Sequence, residues 1–237
     1  MLLPGMDGTG KLFAEFVKAL SGEFEIKVAS YPTDACLSYS ELKEYVLSVL
    51  PKSDSYALLA ESFSTPLAIQ CAADNPGNLK ALILCGGFST SPLRGWLRPL
   101  ISLLAPIVLR FKLPAFAVRS LLIGRDAPKA LLGAVRGAVS SVRPRVLAAR
   151  VRAVLGCDVR KELVLVGVPI LYLSATEDKL VPPRCLEEIL SVKPDATVIS
   201  VKGPHLLIQR EPLQAAGAIA NFLRQLADLP NGPGHER

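Results

Sequence analysis

An apolar run over residues 55–60 passes directly into a helical pattern over residues 63–73, and Ser62 stands at the corner between them. A tight strand-to-helix turn presents the side chain at its tip at the carboxyl edge of a parallel sheet, and it needs small residues on both sides. Ala60 and Ser64, two positions before and after the serine, are small. The stretch therefore predicts either a nucleophilic serine or a helix N-cap, a position that serine also favours.

Strand and helix patterns alternate through most of the chain. Short apolar runs bounded by turn residues predict strands, and segments with apolar residues at helical spacing follow them. The predicted strands cover residues 2–3, 25–31, 55–60, 80–85, 169–174 and 196–201. This alternation predicts an α/β fold with a doubly wound, mainly parallel sheet, in which ligands bind at the carboxyl ends of the strands.

The alternation stops after residue 88. Residues 89–161 show only helical patterns, interrupted by prolines, and we interpret them as an inserted helical cap. Residues 1–88 and 162–228 then form the core. Residues 229–237 are rich in Pro and Gly, a composition that predicts a disordered tail.

Positive charge is concentrated in the cap. The cap holds fourteen Lys or Arg against two Asp, a net charge of +12, whereas the whole 237-residue chain carries +6. The arginines stand among Leu, Val and Ala with few aromatic residues, which argues against nucleic-acid binding. No uncharged run approaches the roughly twenty residues of a membrane span. Either the cap contacts anionic lipid or an anionic amphiphile, or it is an ordinary solvated helix surface.

The chain has five cysteines, without a CxxC pair or regular spacing. Cys71, Cys85 and Cys185 fall in apolar helix or strand patterns, as small core residues do. An odd number of cysteines predicts a reducing compartment and no structural disulfide. Because the first residues lack the basic and apolar stretches of a signal peptide, a cytoplasmic location is expected.

A glycine-rich loop follows the first short strand. Gly5, Gly8 and Gly10 fall within six residues, and Lys11 comes next. A P-loop would place Ser or Thr after the lysine, where this chain has Leu12. Three interpretations are open: a phosphate-binding loop, an ordinary strand-to-helix turn, or an oxyanion loop that points a backbone N–H at developing negative charge.

Candidate acid and base residues follow the last two predicted strands. Glu177 and Asp178 come just after the first of these, and Asp178 is the better candidate because Glu177 would point the opposite way in an extended backbone. The chain has two histidines, and His235 lies in the tail. Any chemistry that requires histidine must therefore use His205. Taken alone, each of these residues is equally compatible with a solvated or structural role.

The order Ser62, Asp178, His205 is that of the α/β-hydrolase superfamily of serine esterases and lipases, which the chain resembles over nearly its whole length. The segments that carry the resemblance are residues 3–10, 60–64, 177–182 and 203–206. The first of them is also similar to the loop of phytyl ester synthase-like acyltransferases. Pro4 replaces the family's usual histidine. The resemblance implies about six parallel strands, without the family's antiparallel leading hairpin.

The resemblance also implies roles for individual residues. Ser62 would attack a carbonyl carbon, His205 would accept and return the proton, and Asp178 would orient the imidazole. The backbone N–H groups of Met6 and Phe63 would form the oxyanion hole. Neither a metal ion nor an organic cofactor is expected, and the expected partner is a small-molecule ester.

Apolar residues of the cap are candidates for a substrate pocket. Those we select are Trp96, Leu100, Leu104 and Phe111. They suit an apolar acyl or alkyl ester, although packing of the cap on the core explains them equally well. A carboxylic ester hydrolase is the leading prediction. An acyltransferase or an acyl-CoA thioesterase would use the same triad, and a non-catalytic small-molecule-binding protein on this scaffold is the alternative from another class.

Overall fold

The computed structural model describes residues 1–74, 76–93, 95–111 and 113–228. The predicted tail with His235 lies outside the described residues, as do Arg94 and Lys112 of the predicted cap. The strands are β1 (Leu2–Leu3), β2 (Tyr56–Glu61), β3 (Leu79–Cys85), β4 (Ile170–Ala175) and β5 (Thr197–Val201).

Helices make up most of the remaining structure. The α-helices are α1 (Ala14–Leu20), α2 (Tyr39–Val49), α3 (Thr65–Ala73), α4 (Leu97–Val108), α5 (Ala115–Val118), α6 (Lys129–Ser140), α7 (Pro144–Leu155), α8 (Arg160–Leu165), α9 (Arg184–Val192), α10 (Leu207–Arg210) and α11 (Pro212–Asp228). Short 3₁₀ helices cover Lys11–Phe13 and Ser62–Ser64, and a π-helical segment covers Arg119–Ile123. None of the helices in the described ranges combines the length and the apolar character needed to cross a bilayer.

The sheet of the described residues has five strands in the order β1-β2-β3-β4-β5, and all four pairings are parallel. The predicted strand over residues 25–31 contributes only one bridge, between Val28 and Leu2. The reason is that β1 has only two residues, of which Leu2 alone pairs with this segment. Leu2 N–H donates to the Lys27 carbonyl over 2.8 Å, and the Leu2 carbonyl accepts from Ala29 N–H over 2.9 Å. The sheet thus has one strand fewer than predicted.

The direction of strand addition reverses at β1. Leu2 pairs with Val28 on one side and with Leu59 of β2 on the other, so the chain crosses β1 before it builds the rest of the sheet. Such a switch point leaves a crevice at the carboxyl ends of the two neighbouring strands whose connections run in opposite directions, here β1 and β2. The loops that follow β1 and β2 therefore meet at one edge of the sheet.

Helices cover both faces of the sheet. Leu58 and Leu82 pack under α2, α3, α8 and α9, whereas their neighbours Leu59 and Ile83 pack under α1 and α11. Because β2, β3 and β4 are buried on both faces, their sequences are mostly continuous apolar runs rather than alternating ones, whereas the edge strand β5 is largely exposed. The doubly wound α/β architecture follows directly from this two-sided burial.

The segment between β3 and β4 contains α4 to α8. We call α4 to α7 the cap helices. The last helix, α8, belongs to the core, because Leu163 is buried among residues of α3 and α9. The cap helices are anchored as well, since α7 inserts Val154 into the same core cluster and buries Arg150.

Candidate active site

Ser62 occupies a strained backbone position. Its φ is +49°, and it has the one positive φ among the non-glycine residues that the structure describes. L-residues rarely adopt this region, and a cost of about 1–3 kcal/mol is typical of such strain at functional sites. β2 ends at Glu61, and the chain then turns through Ser62–Ser64 into α3. Pro66 fits because the first turn of a helix has spare N–H groups.

Ser62, His205 and Asp178 meet at the carboxyl edge of the sheet. His205 Nε2 lies 2.8 Å from Ser62 Oγ, and His205 Nδ1 lies 2.7 Å from Asp178 Oδ2. The imidazole and the carboxylate are almost completely buried, whereas Ser62 remains partly exposed. The structure brings together the three residues that the sequence singled out as nucleophile, base and acid.

Asp178 is held as a carboxylate by its surroundings. Burial acts to raise the pKa of this carboxyl, but the hydrogen bond and charge of His205 and two backbone N–H groups outweigh it, so the pKa lies below its usual range. The N–H groups of Leu180 and Val181 donate to Oδ1 over 2.8 and 3.0 Å. Glu177, the rejected alternative, is exposed to solvent.

The predicted oxyanion donors lie on the two loops at the switch point. Met6 N–H donates to no acceptor within the described residues, and Phe63 N–H belongs to the first turn of a 3₁₀ helix, where no intrahelical acceptor exists. Ser64 joins the loops: its hydroxyl donates to the Pro4 carbonyl and lies 2.6 Å from the Tyr31 hydroxyl. Both N–H groups are therefore available close to the serine.

Solved structures resemble the chain over nearly its whole length. A bromoperoxidase from Bacillus anthracis matches with a TM-score of 0.81 at 14% identity, over 94% of this chain and 90% of that chain. A thermophilic esterase from Thermogutta terrifontis matches with a TM-score of 0.78 at 18% identity, over 95% and 89% of the two chains. The enol-lactonase from Burkholderia xenovorans LB400 gives 0.71 at 18%, also over 95% and 89%. The chain has the α/β-hydrolase fold.

No protein-family model matches the chain, and neither does any curated protein. At identities below 20%, the structural matches establish the architecture and not the reaction. The names of the matched proteins, which include an esterase and a bromoperoxidase, show that this architecture supports different chemistries. Function must therefore be argued from the site.

In this α/β-hydrolase fold, a buried cation holds the glycine-rich loop that follows β1. Arg150 of α7 is 2% exposed, and its guanidinium donates to the carbonyl oxygens of Met6 and Asp7 through Nη1, over 2.9 and 2.7 Å. Nη2 donates to the Pro32 carbonyl over 3.0 Å. A Cβ on Gly8 would lie 2.5 Å from Nη1, so glycine is required there to admit the guanidinium. Sequence reasoning missed this role of the cap.

A buried carboxyl, Glu61, precedes the serine. Its side chain is 2% exposed, and Oε2 accepts from Gln209 Nε2 over 3.2 Å and from the Gly5 N–H. Burial raises the pKa of Glu61 to about 7, against the opposing effects of Gln209, the His205 charge and Gly5. Glu61 Oε1 has no hydrogen-bond partner within the described residues. The only feature of the sequence that could have indicated this buried carboxyl was a charged residue between an apolar strand and the serine.

The predicted pocket residues lie on the outside of the protein. Trp96 is 82% exposed, and Leu100 and Leu104 also face solvent. Phe111 lines a surface groove of about 220 Å³ beside Arg110. These four side chains do not enclose a pocket beneath the cap, because α4 turns its other face toward α7. Within the described residues, no group of three or more His, Cys, Asp or Glu is placed to hold a metal ion.

Proposed function

We propose that this protein is a serine hydrolase that cleaves carboxylic esters of apolar acyl or alkyl groups through an acyl-enzyme. The observation that carries the proposal is the hydrogen-bonded chain from Ser62 Oγ to His205 Nε2 and from Nδ1 to Asp178, at 2.8 and 2.7 Å. These lengths lie within the range expected of a nucleophile, its general base and the group that orients the base.

In each step of the reaction, one proton moves between His205 Nε2 and a reacting oxygen. Ser62 Oγ attacks the ester carbonyl carbon while its proton passes to His205 Nε2, and the carbonyl electrons move onto the oxygen. Collapse of the tetrahedral intermediate breaks the bond to the alcohol oxygen, which takes the proton from Nε2. A water molecule then attacks the acyl carbon, with His205 again accepting a proton. Collapse of this second tetrahedral intermediate breaks the bond to Ser62 Oγ, which takes that proton back from Nε2 as the carboxylic acid leaves. Asp178 stays ionised throughout and stabilises the imidazolium.

The Met6 and Phe63 N–H groups would stabilise the oxyanion. In related chemistry, loss of one such donor slows turnover by about 10²- to 10³-fold. Both donors are backbone groups, so their placement depends on the loops that carry them. Ser64, through the Pro4 carbonyl, and Arg150, through the Met6 and Asp7 carbonyls, set that placement.

Two observations favour an apolar ester. The Met6 side chain packs against the buried cluster of Val142, Val146 and Leu147 in the cap, so the surroundings of the oxyanion loop are aliphatic. Among the structural matches are an esterase and an enol-lactonase by name. An ester carbonyl with an aliphatic acyl group suits such a site better than a charged substrate does.

The proposal is tested with p-nitrophenyl esters from acetate to palmitate, assayed with the wild type and with Ser62→Ala. We expect turnover by the wild type and its loss in the variant, by about 10³-fold or more. Thr65→Ser, at the first residue of α3, is the control for the effects of expressing and purifying a substituted protein. Equal hydrolysis by the wild type and Ser62→Ala would contradict the proposal. A wild type inactive on every ester would favour acyl transfer or ligand binding instead.

A further inference from the structure

An apolar surface on α4 is exposed to solvent. It comprises Trp96 at the N-cap and Leu100, Leu103, Leu104, Ile107 and Val108 of the helix, and we call it the α4 outer face. The spacing of these residues, by three or four positions, places them on one side of the helix. Trp96 is 82%, Leu103 is 72% and Val108 is 58% exposed. Soluble monomers rarely leave so many large contiguous apolar groups in water, and such patches mark interaction sites.

Packing within the chain does not account for this face. The opposite side of α4 already contacts α7, with Ala105 buried and Leu109 packed against the cluster of Val142, Val146 and Leu147. The helix is therefore apolar on both sides, one side facing the protein and the other facing solvent. A helix that is apolar all round is normally buried on all sides. The outer face thus lacks a contact that its composition calls for.

The charge around the outer face is positive. No Asp or Glu occurs from residue 75 to residue 125, a segment that includes Arg98, Arg110, Arg119 and Arg125. Arg110, just after the end of α4, is exposed, whereas Arg98 near its beginning is half-buried and donates to the Leu93 carbonyl. The two acidic residues that flank this segment in the sequence, Asp74 and Asp126, pair with Lys43 and Arg210. An occupant of this face must therefore be apolar at its centre and negatively charged at its margin.

We propose that the α4 outer face docks on the surface of an anionic lipid bilayer. The aliphatic side chains would enter the boundary between headgroups and acyl chains, Trp96 would lie at the interface, and the arginines would contact lipid phosphates. The twelve residues of α4 extend for about 18 Å, too short for a span and suited to lying in the plane of the interface. This binding does not require catalysis, so it stands independently of the proposed hydrolase activity.

The chain contains one tryptophan, Trp96, which makes its fluorescence a direct reporter of this surface. The full-length protein is titrated with vesicles of phosphatidylcholine alone and of phosphatidylcholine with phosphatidylglycerol, and binding is also measured by co-sedimentation. We expect a blue shift of the emission and at least about tenfold tighter binding to the anionic vesicles, weakened by added salt. The proposal is overturned if the protein binds neither kind of vesicle, or if it binds both kinds equally well.

Substitutions locate the contact. Leu103→Ser/Ile107→Ser should weaken anionic-vesicle binding at least about tenfold, whereas Leu213→Ser, at an equally exposed leucine of α11, should not. Arg110→Gln should weaken it about fivefold, and Arg224→Gln on α11 is its control. Circular dichroism checks that each variant is folded. Because vesicle binding is the quantity measured, the result does not depend on esterase turnover. Unchanged binding by the double variant overturns the proposal.

Sedimentation velocity without lipid tests the other occupant, a second copy of the chain. We expect the same sedimentation coefficient for the wild type and for Leu103→Ser/Ile107→Ser. A dimer that this double variant disperses, together with no vesicle binding, would assign the face to self-association and overturn the lipid proposal.

Discussion

Arg150 donates a 2.7 Å hydrogen bond to the carbonyl oxygen of Asp7, and so connects cap helix α7 to the loop after β1. The guanidinium also lies 5.7 and 5.9 Å from the ring centroids of Tyr31 and Phe63. Burial lowers the pKa of Arg150 from its ordinary value, partly offset by Asp7 and Tyr31. One cation therefore sets the path of the loop after β1 and contacts the ring of Phe63, the residue that follows Ser62.

Replacing Arg150 should impair turnover more than binding. Arg150→Met keeps much of the volume but leaves three carbonyl groups without their donor, so Met6 N–H moves out of place. We expect kcat to fall about 10²-fold, as displacements of about 1 Å typically cause, with KM nearly unchanged. Arg150→Lys should be intermediate, because an ammonium lacks the planar fork. Arg152→Met, at an exposed arginine of the same helix, is the control. A kcat within twofold of wild type in both Arg150 variants would exclude this positioning role.

Gly8→Ala should lower kcat as Arg150→Met does, because Gly8 lies on the other side of the contact that Arg150 makes with the loop. The new Cβ would lie 2.5 Å from Arg150 Nη1, and the residue would keep a φ of +68° that alanine adopts at a cost. We expect a loss of kcat of about tenfold or more and a lower Tm. Gly217→Ala, in α11 with no atom within 4 Å of the new Cβ, should raise stability by up to about 1 kcal/mol. Equal activity and Tm in the two variants would contradict the steric argument.

Asp178 and Glu177 offer a test of which carboxylate serves His205. Asp178→Asn removes the charge that holds the imidazole in its reactive tautomer, and we expect kcat to fall by about 10⁴-fold. Glu177→Gln alters an exposed side chain and should leave kcat within about twofold. Steady-state assays on one p-nitrophenyl ester compare them. If Glu177→Gln were the inactive variant, the assignment of the acid would be wrong.

Glu61 should make stability fall as pH rises. Its pKa is about 7 in the folded protein and 4.5 in a model peptide, so between these values the folded state holds a proton that the unfolded state has lost. The contribution of Glu61 to stability is therefore fully present below pH 4.5 and is lost as pH rises to 7, by about 3 kcal/mol at most. Glu61→Gln does not titrate. Urea unfolding from pH 4.5 to 8 should show wild type losing stability relative to this variant, and parallel curves would refute the shift.

The alternation of apolar runs and helical segments was enough to predict the parallel, doubly wound α/β fold, because each strand buried on both faces appears in the sequence as a short apolar run. Strand number was predicted less well. Residues 25–31 have the composition of a strand, but whether a ladder forms depends on its partner, and β1 is two residues long. Pairing length is a property of two segments, so one segment's pattern does not determine it.

The sequence by itself determined which residues could serve as nucleophile and base, since Ser62 stands at a strand-to-helix corner and His205 is the one histidine outside the tail. Tertiary structure decided what supports them. Arg150 reaches the oxyanion loop across 143 residues, Ser64 joins Pro4 across 60 residues, and α4 turns its large apolar side chains outward. Such contacts depend on how separate elements pack, and hydrophobicity alone does not say which side of a helix is buried.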